Sequence, residues 1–333
     1  MGLLPFETES RTVVTRRHAE TNPKYGKRPE TRTIPELLDF GIIPIDKPSG
    51  PSSHQVSAYV QQILKIKKSG HSGTLDPKVT GVLPVALGAG TRVVHALLTA
   101  GKEYVTMMHL HKEVDERDIR RVLVDFTGRI TQLPPVKSAV KRQHRQRTIY
   151  YIELLDIQGQ NILFTAGTQA GTYIRKLCHD MGLALQQDGK PVGAHMAELR
   201  RSKAGPFREE QLVTLQELTD AFHYYQEGDE APLRQIILPG EAGLAHLKKV
   251  WVMDSTVESL CQGIQLKVPG IVKLHDSIEP GDMVAVMTLK DEAILTGTAA
   301  MGSKEMLGAN GLAVRTLQVY MKPGTYPKNL DLR

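Results

Sequence analysis

The chain has 333 residues, with 42 basic side chains against 36 acidic ones, a net charge of +6, and a composition of 41% hydrophobic and 23% charged residues. These values exclude a fibrous or wholly disordered chain and fit a globular protein long enough for two domains, while the mild basic excess fits either a polyanionic partner or a basic solvated surface. Two cysteines, Cys178 and Cys261, without paired spacing exclude a disulfide framework and a cysteine-rich zinc site, which fits a reducing compartment.

The N-terminus, MGLLPFETES, gains acids before a signal-type apolar core can form, and Phe6 stands where a myristoylation signal needs Ser or Thr. No apolar run approaches membrane-spanning length, so the expectation is a cytoplasmic protein with no membrane partner. Residues 1–36 are polar and basic, with Arg16, Arg17, Lys24, Lys27 and Arg28, and their lack of periodicity reads as a disordered tail. Order begins at Leu37. GIIPIDKPSG reads as a strand stopped by Pro48 and Gly50. In SSHQVSAYVQQILKIKK, Ser52 and Gln55 have capping-box spacing, and Val56, Tyr59, Val60, Ile63 and Leu64 form one apolar helical face.

Further along, EYVTMMHLH at 103–111 has strand composition, and DERDIRRVLVDFTG is an amphipathic helix with Ile119, Val122, Leu123 and Phe126 inward and Gly128 as its stop. YYIELLDIQ and NILFTAGTQ are strands joined by a glycine turn, and Thr172 can cap a helix over YIRKLCHDMGLAL. Alternating strands and helices make 37–245 a mixed domain. In the tail, Ser255 and Glu258 suggest a capped short helix. The segments IQLKVPGIVKL, DMVAVMTL, AILTGTAAM and GLAVRTLQVYM suggest a compact, mostly β barrel.

Familiar chemical motifs are missing: there is no GxxxxGK[ST], GxSxG, HExxH or GxGxxG. His109 and His111 point the same way from one strand but lack a third ligand, so no metal is assigned. In GHSGTLDPKVTGVLPVALG, at 70–88, Asp76 follows Gly70 and Gly73 and precedes Pro77. It serves either as an Asx-type turn residue or as a carboxylate aimed by a rigid bend. Tyr173 and Arg175 fall in a first helical turn, an anion-favouring place, or are a buried tyrosine and a surface arginine. The stretch PPVKSAVKRQHRQR carries Lys137, Lys141, Arg142, Arg145 and Arg147 without an acid. It is a solvated loop or a grip on phosphates, and with LRRSK at 199–203 and KIKK at 65–68 the balance tips toward polynucleotide.

Taken together, DKPSGPSS, GHSGTLDPKVTGVLPVALG, KEYV, GTYIRKL and AHMAELRRSKAGPF resemble the TruB-type RNA pseudouridine synthases in wording, order and spacing, and 251–327 resembles a PUA domain. LPPVKSAVKR, KVWVMDS, KVPGIVKLH and GDMVAVMTLKDE look like the archaeal dyskerin-type branch, the catalytic subunits of box H/ACA ribonucleoproteins. Ser72, where many relatives of this branch carry glycine, and an apparent insertion at 186–193 depart from the pattern.

The resemblance implies an α+β fold: a catalytic domain over 37–247 with a mixed, largely antiparallel sheet and flanking helices, then a small β-barrel PUA domain over 248–327. It implies a basic arm over 1–36 packed on the PUA domain, against the compositional reading, and a tail over 328–333. It implies an isomerase that turns uridine into pseudouridine in rRNA or tRNA, without cofactor or metal. Asp76 is the implied nucleophile, kept charged by Arg175; Tyr104 stacks on the flipped base and Tyr173 accepts the carbon 5 proton. His71, Leu199 and Lys47 belong to the pocket, and Lys137, Lys141, Arg142, Arg145 and Arg147 to the RNA surface. Implied partners are a guide RNA, a substrate RNA and the small H/ACA subunits (Nop-ten-like, Gar-like and a ribosomal-protein-like kink-turn binder). The alternatives are a stand-alone synthase for the tRNA TΨC arm and a non-catalytic RNA scaffold.

Overall fold

The structure, a computed structural model, describes residues 2–134 and 143–327; Lys137, Lys141 and Arg142 of the basic loop, and the tail over 328–333, lie outside the described residues. A ten-stranded sheet runs in the order Leu238–Pro239, Gly41–Lys47, Thr80–Leu87, Ala194–Ala204, Lys102–Leu110, Asn161–Thr168, Arg145–Gln158 and Gly128–Gln132, with Ser69–His71 and Phe207–Arg208 as side branches. Its ladders are antiparallel except where Ala194–Ala204 lies parallel to Thr80–Leu87, so the sheet is mixed and largely antiparallel, in an α+β arrangement.

Apolar cores flank this sheet, among them two built under its longer helices. Helices Glu116–Asp125 and Ile174–Ala184 bury Ile119, Val122, Ile174, Leu177 and Met181 against Met108, Ile162 and Phe164. At the other end Ser53–Leu64 and Leu215–Gln226 pack Val56, Val60, Leu64 and Leu218 on Ile43, Ile45, Leu83 and Val85. Each such side chain, fully buried, contributes about 1.5–3 kcal/mol. The Ser52–Gln55 box forms as read, Ser52 Oγ accepting from Gln55 N at 3.2 Å and Gln55 Oε1 from Ser52 N at 2.8 Å. Tyr59 departs from the expected apolar face: it is 39% exposed. Ser57 is buried instead, because its hydroxyl meets Ser69 Oγ at 2.6 Å and ties the helix to the strand that leads into the Asp76 turn.

A second sheet of seven strands runs Val13–Thr15, Ile271–His275, Lys248–Val252, Met283–Met287, Ala293–Ala299, Leu312–Val319 and Leu266–Lys267, around a core that includes Val250, Leu260, Leu274, Val286, Leu295 and Val314. The expected Ser255–Glu258 capping box is absent, because Met253 is the N-cap of helix Asp254–Cys261 and Ser255 lies within it. Its acids serve other segments: Asp254 accepts from Asn22 N at 2.7 Å and Thr21 Oγ1 at 3.0 Å, and Glu258 from Gly324 N at 2.7 Å. No helix among the described residues is long and apolar enough to cross a membrane.

The N-terminal arm is ordered where composition alone reads disorder. Its Val13–Thr15 strand extends the second sheet by pairing with Ile271–His275. Nearer the start, Leu4 is fully buried and Glu7 bonds Lys203 at 3.3 Å as well as Arg208, while Lys203 also pairs with Glu103 at 3.2 Å. Polarity is therefore no sign of disorder here, since the arm's acids meet internal cations. Removing one member of a buried ion pair typically costs about 3–5 kcal/mol. Glu7→Ala is expected to lose stability on that scale, read as a lower thermal midpoint; an unshifted midpoint would show that the arm is not held by this cluster.

Candidate active site

The Asp76 turn hangs between buried anchors. Ahead of it, Ser72 N bonds Pro84 O at 3.1 Å, Gly73 adopts φ +86°, and Leu75 N donates to the buried Ser53 Oγ at 2.8 Å. Behind it, Val79 N bonds Asp76 O at 3.0 Å and Gly50 N bonds Pro77 O at 2.9 Å. The Lys47 ammonium, fully buried, donates to Pro48 O at 2.9 Å, Pro77 O at 2.9 Å and Val79 O at 2.7 Å. All three donors of the ammonium are thus engaged. Lys47 therefore clamps the turn. Burial lowers its pKa, against the attraction of Asp76, which raises it.

With backbone and buried cations fixing the bend, the carboxylate of Asp76 is left out of the turn. Among the described residues its hydrogen-bond partner is the Arg175 guanidinium, from 99 positions away, so the Asx-turn alternative does not hold. Both side chains are more than half exposed, 55% for Asp76 and 57% for Arg175, so the free protein presents the pair to solvent. Arg175 sits in the first turn of helix Ile174–Ala184, whose N-cap is Tyr173 and not Thr172. The Thr172 hydroxyl is turned back to Gln169 O at 2.7 Å. What orients this helix start is Gln132, which is 2% exposed. Its Oε1 accepts from Tyr173 N at 3.0 Å and its Nε2 donates to Tyr173 O at 3.2 Å. No sequence pattern singles Gln132 out; only the sheet brings it to the helix.

Tyr104, half-buried on the Lys102–Leu110 strand, lies cross-strand from Arg201, and Thr106 lies opposite Leu199. Tyr104 and Leu199 both pack on the core beneath helix Ile174–Ala184. His71 stacks edge-on against His54, with ring centroids 4.7 Å apart. Burial first, then the charges of His54 and Arg201, push its pKa down to about 4. From Arg175 an open groove of ≈ 920 Å³ runs past Lys176, His179 and Ile130 to Phe126 and His144. Arg145 and Arg147, half-buried, begin the Arg145–Gln158 strand, and the Arg147 guanidinium lies against Gly171 in the turn before Tyr173.

LRRSK is not a free basic patch, contrary to expectation. Arg200 bonds Asp46 through both terminal nitrogens, at 3.0 and 3.2 Å, and also Glu209; Arg201 and Lys203 are buried. The histidine pair does meet a third ring, His111 Nε2 lying 3.1 Å from His195 Nδ1. Even so, the described residues contain no group of three ligating side chains able to hold a metal ion.

Comparison with known proteins gives the chain its relatives. Residues 61–174 match the TruB family pseudouridylate synthase N-terminal domain, 175–245 the tRNA pseudouridylate synthase B C-terminal domain, 248–320 the PUA domain and 4–57 the DKCLD domain. A probable tRNA pseudouridine synthase B of Methanopyrus kandleri is 52% identical over 332 residues, 99% of this chain and 96% of that one. The protein of the same description from Thermococcus kodakarensis is 53% identical over 329 residues, 98% of this chain and 96% of that one. Among solved structures, a chain of a Cbf5-Nop10-Gar1 complex superposes with a TM-score of 0.92 at 51% identity, covering 98% of both chains. A chain of an H/ACA RNP bound to a substrate RNA containing 2'-deoxyuridine gives 0.90 at 49% identity, covering 98% of this chain and 99% of that one.

A histidine whose pKa is depressed on folding binds its proton more readily in the unfolded chain. Its contribution to stability is whole above the unfolded pKa, about 6.5. That contribution is lost as pH falls toward the folded value, about 4 for His71. The His71 ring is therefore expected to stay neutral at pH 6, with its NMR ring signals moving only near pH 4. A midpoint near 6.5 would show that the ring is not desolvated.

Proposed function

The chain belongs to the TruB family of pseudouridylate synthases, and from that premise we propose that it isomerises uridine in RNA with Asp76 as nucleophile, as the catalytic subunit of a guide-RNA particle of the H/ACA kind. The observation that carries this reading is the pairing of Arg175 with an Asp76 carboxylate that the turn itself does not use.

Pseudouridine formation breaks the bond between uracil and ribose, turns the base and rejoins it through carbon 5. Atoms and oxidation state are conserved, so the reaction calls on side chains alone. A nucleophilic carboxylate must be ionised, and an adjacent guanidinium favours that state. A uridine in a stacked helix is out of reach and must first be flipped out. In this reading Tyr104 stacks on the extruded base, Tyr173 at the helix start accepts the carbon 5 proton, Leu199 lines the pocket, and His71, as a neutral ring, fills the space the nucleotide leaves. Arg145 and Arg147, with Lys137, Lys141 and Arg142, bind phosphates beside the groove.

The guide-dependent part rests on likeness to the complexes that contain Nop10, Gar1 and a substrate RNA. In that reading the PUA domain holds the 3′ ACA end of a guide RNA whose pairing selects the uridine, in rRNA or tRNA. The descriptions of the Methanopyrus and Thermococcus proteins favour a second reading, guide-independent action on tRNA. Assaying tRNA with and without guide RNA and partner proteins separates the two, and sequencing RNA that co-purifies with the chain tests the first: hairpins ending in ACA support it, tRNA alone the second.

For the chemistry, Asp76→Asn keeps the shape of the turn and removes the charge. RNA affinity is expected to stay within about twofold while the rate of pseudouridine formation falls by at least about 1,000-fold, as for loss of a covalent nucleophile. Appreciable product from this variant would remove Asp76 from its role.

A further inference from the structure

We propose that Arg201 is a positioning residue that couples the base-stacking Tyr104 to the turn carrying Asp76; this deepens the reading of Tyr104 given above. The side chain is 1% exposed, among the largest fully buried in the molecule. Its Nε donates to Val82 O at 2.7 Å and its Nη2 to Gly73 O at 3.2 Å, and Tyr104, its direct cross-strand partner, sets its phenol beside the guanidinium. One planar guanidinium thus binds the strand after the Asp76 turn and the glycine three residues before Asp76, and lies beside the Tyr104 side chain across the ladder.

The sheet explains how it gets there. Arg201 pairs across the antiparallel ladder with Tyr104 and across the parallel ladder with Gly81, where the two ladder types meet on one strand. Gly81 has φ +101°, and a side chain there would collide with the Arg201 backbone, so glycine lets the strands close.

A buried cation normally demands a carboxylate. Here, among the described residues, Arg201 forms no ion pair with a carboxylate, and its donors go to the carbonyls of Val82 and Gly73. Such an arrangement is a poor choice for stability alone, since a well-packed apolar side chain fills the space without desolvating a charge. It suits a role in which the fork fixes two pieces of the site relative to each other. Arginine's rigid fork does this and lysine's single point of charge does not.

The test uses the full-length chain and an RNA carrying 5-tritiated uridine that the wild type converts, under single-turnover conditions. R201K, Y104F and R201K/Y104F are compared for rate, RNA affinity and thermal midpoint. Each single change is expected to slow the chemical step about 10–100-fold with RNA affinity within about twofold. The double variant is expected to be no more than about threefold slower than the slower single, because both changes break one link. Rates that multiply, a Y104F enzyme at wild-type speed, or an R201K loss matched by its fall in midpoint would each overturn the proposal. A second measurement needs no arginine variant: the Arg201 guanidinium 15N resonances are expected to shift on Tyr104→Phe, and unmoved resonances would overturn it too. D76N assayed in parallel reports on the nucleophile alone, which keeps failure of the two readings distinct.

Discussion

Two buried cations hold the bend from which Asp76 projects, and the rest of the site depends on them. Lys47 binds the carbonyls of Pro77 and Val79 on one side, and Arg201 that of Gly73 on the other. The exposed Asp76–Arg175 pair cannot do this work, since an ion pair at that exposure contributes at most about 1 kcal/mol. The fold aligns the pair; the pair does not hold the fold. An aspartate whose turn is already satisfied by other groups has a carboxylate free for chemistry, which a turn-forming aspartate lacks.

The same accounting changes how the basic composition is read. The net charge of +6 suggests a surface ready for a polyanion. Yet Lys47, Lys102, Arg201 and Lys203 are buried, and each is bonded to carbonyls or carboxylates inside the protein. Cations of this kind stiffen the structure and offer nothing to a phosphate. Charge open to solvent lies elsewhere, as in KIKK, where Lys65, Lys67 and Lys68 are all exposed.

Much of the architecture was legible because it rests on local chemistry. The Ser52–Gln55 box, the apolar period of 119–126 and the β-rich segments around 103–111 and 161–168 are visible in the chain, and the structure has those elements. The failures have a common cause. Thr172, Tyr59 and LRRSK were judged by what their neighbours in sequence would allow, whereas their partners lie elsewhere: Gln169 O takes the Thr172 hydroxyl, Ser69 draws Ser57 inward in place of Tyr59, Asp46, Glu209, Glu7 and Glu103 absorb Arg200 and Lys203, and carbonyls take Arg201. Resemblance names Asp76 and Arg175, which the structure brings together, but it shows neither the bonds by which Lys47 clamps the turn nor the role of Gln132 at the helix start. Motif membership says that a residue matters to a family; only the bonding pattern says how.

The openness of the Asp76–Arg175 pair bears on when the site becomes reactive. In the free protein water competes for both charges and their attraction is weak. An RNA strand laid over the groove beside Arg175 would displace that water, and the same two charges at the same separation would then attract several times more strongly. Covering an uncompensated carboxylate would oppose its ionised form; covering one already paired with a guanidinium leaves the ion in place while removing its solvent shell. Under the proposed chemistry the arginine has its largest effect in a complex with RNA, where a nucleophilic Asp76 would have to be both charged and dry. An exposed pair in the free protein is what that requirement predicts, since a site sealed before RNA arrives would leave no path for an extruded nucleotide to reach Asp76.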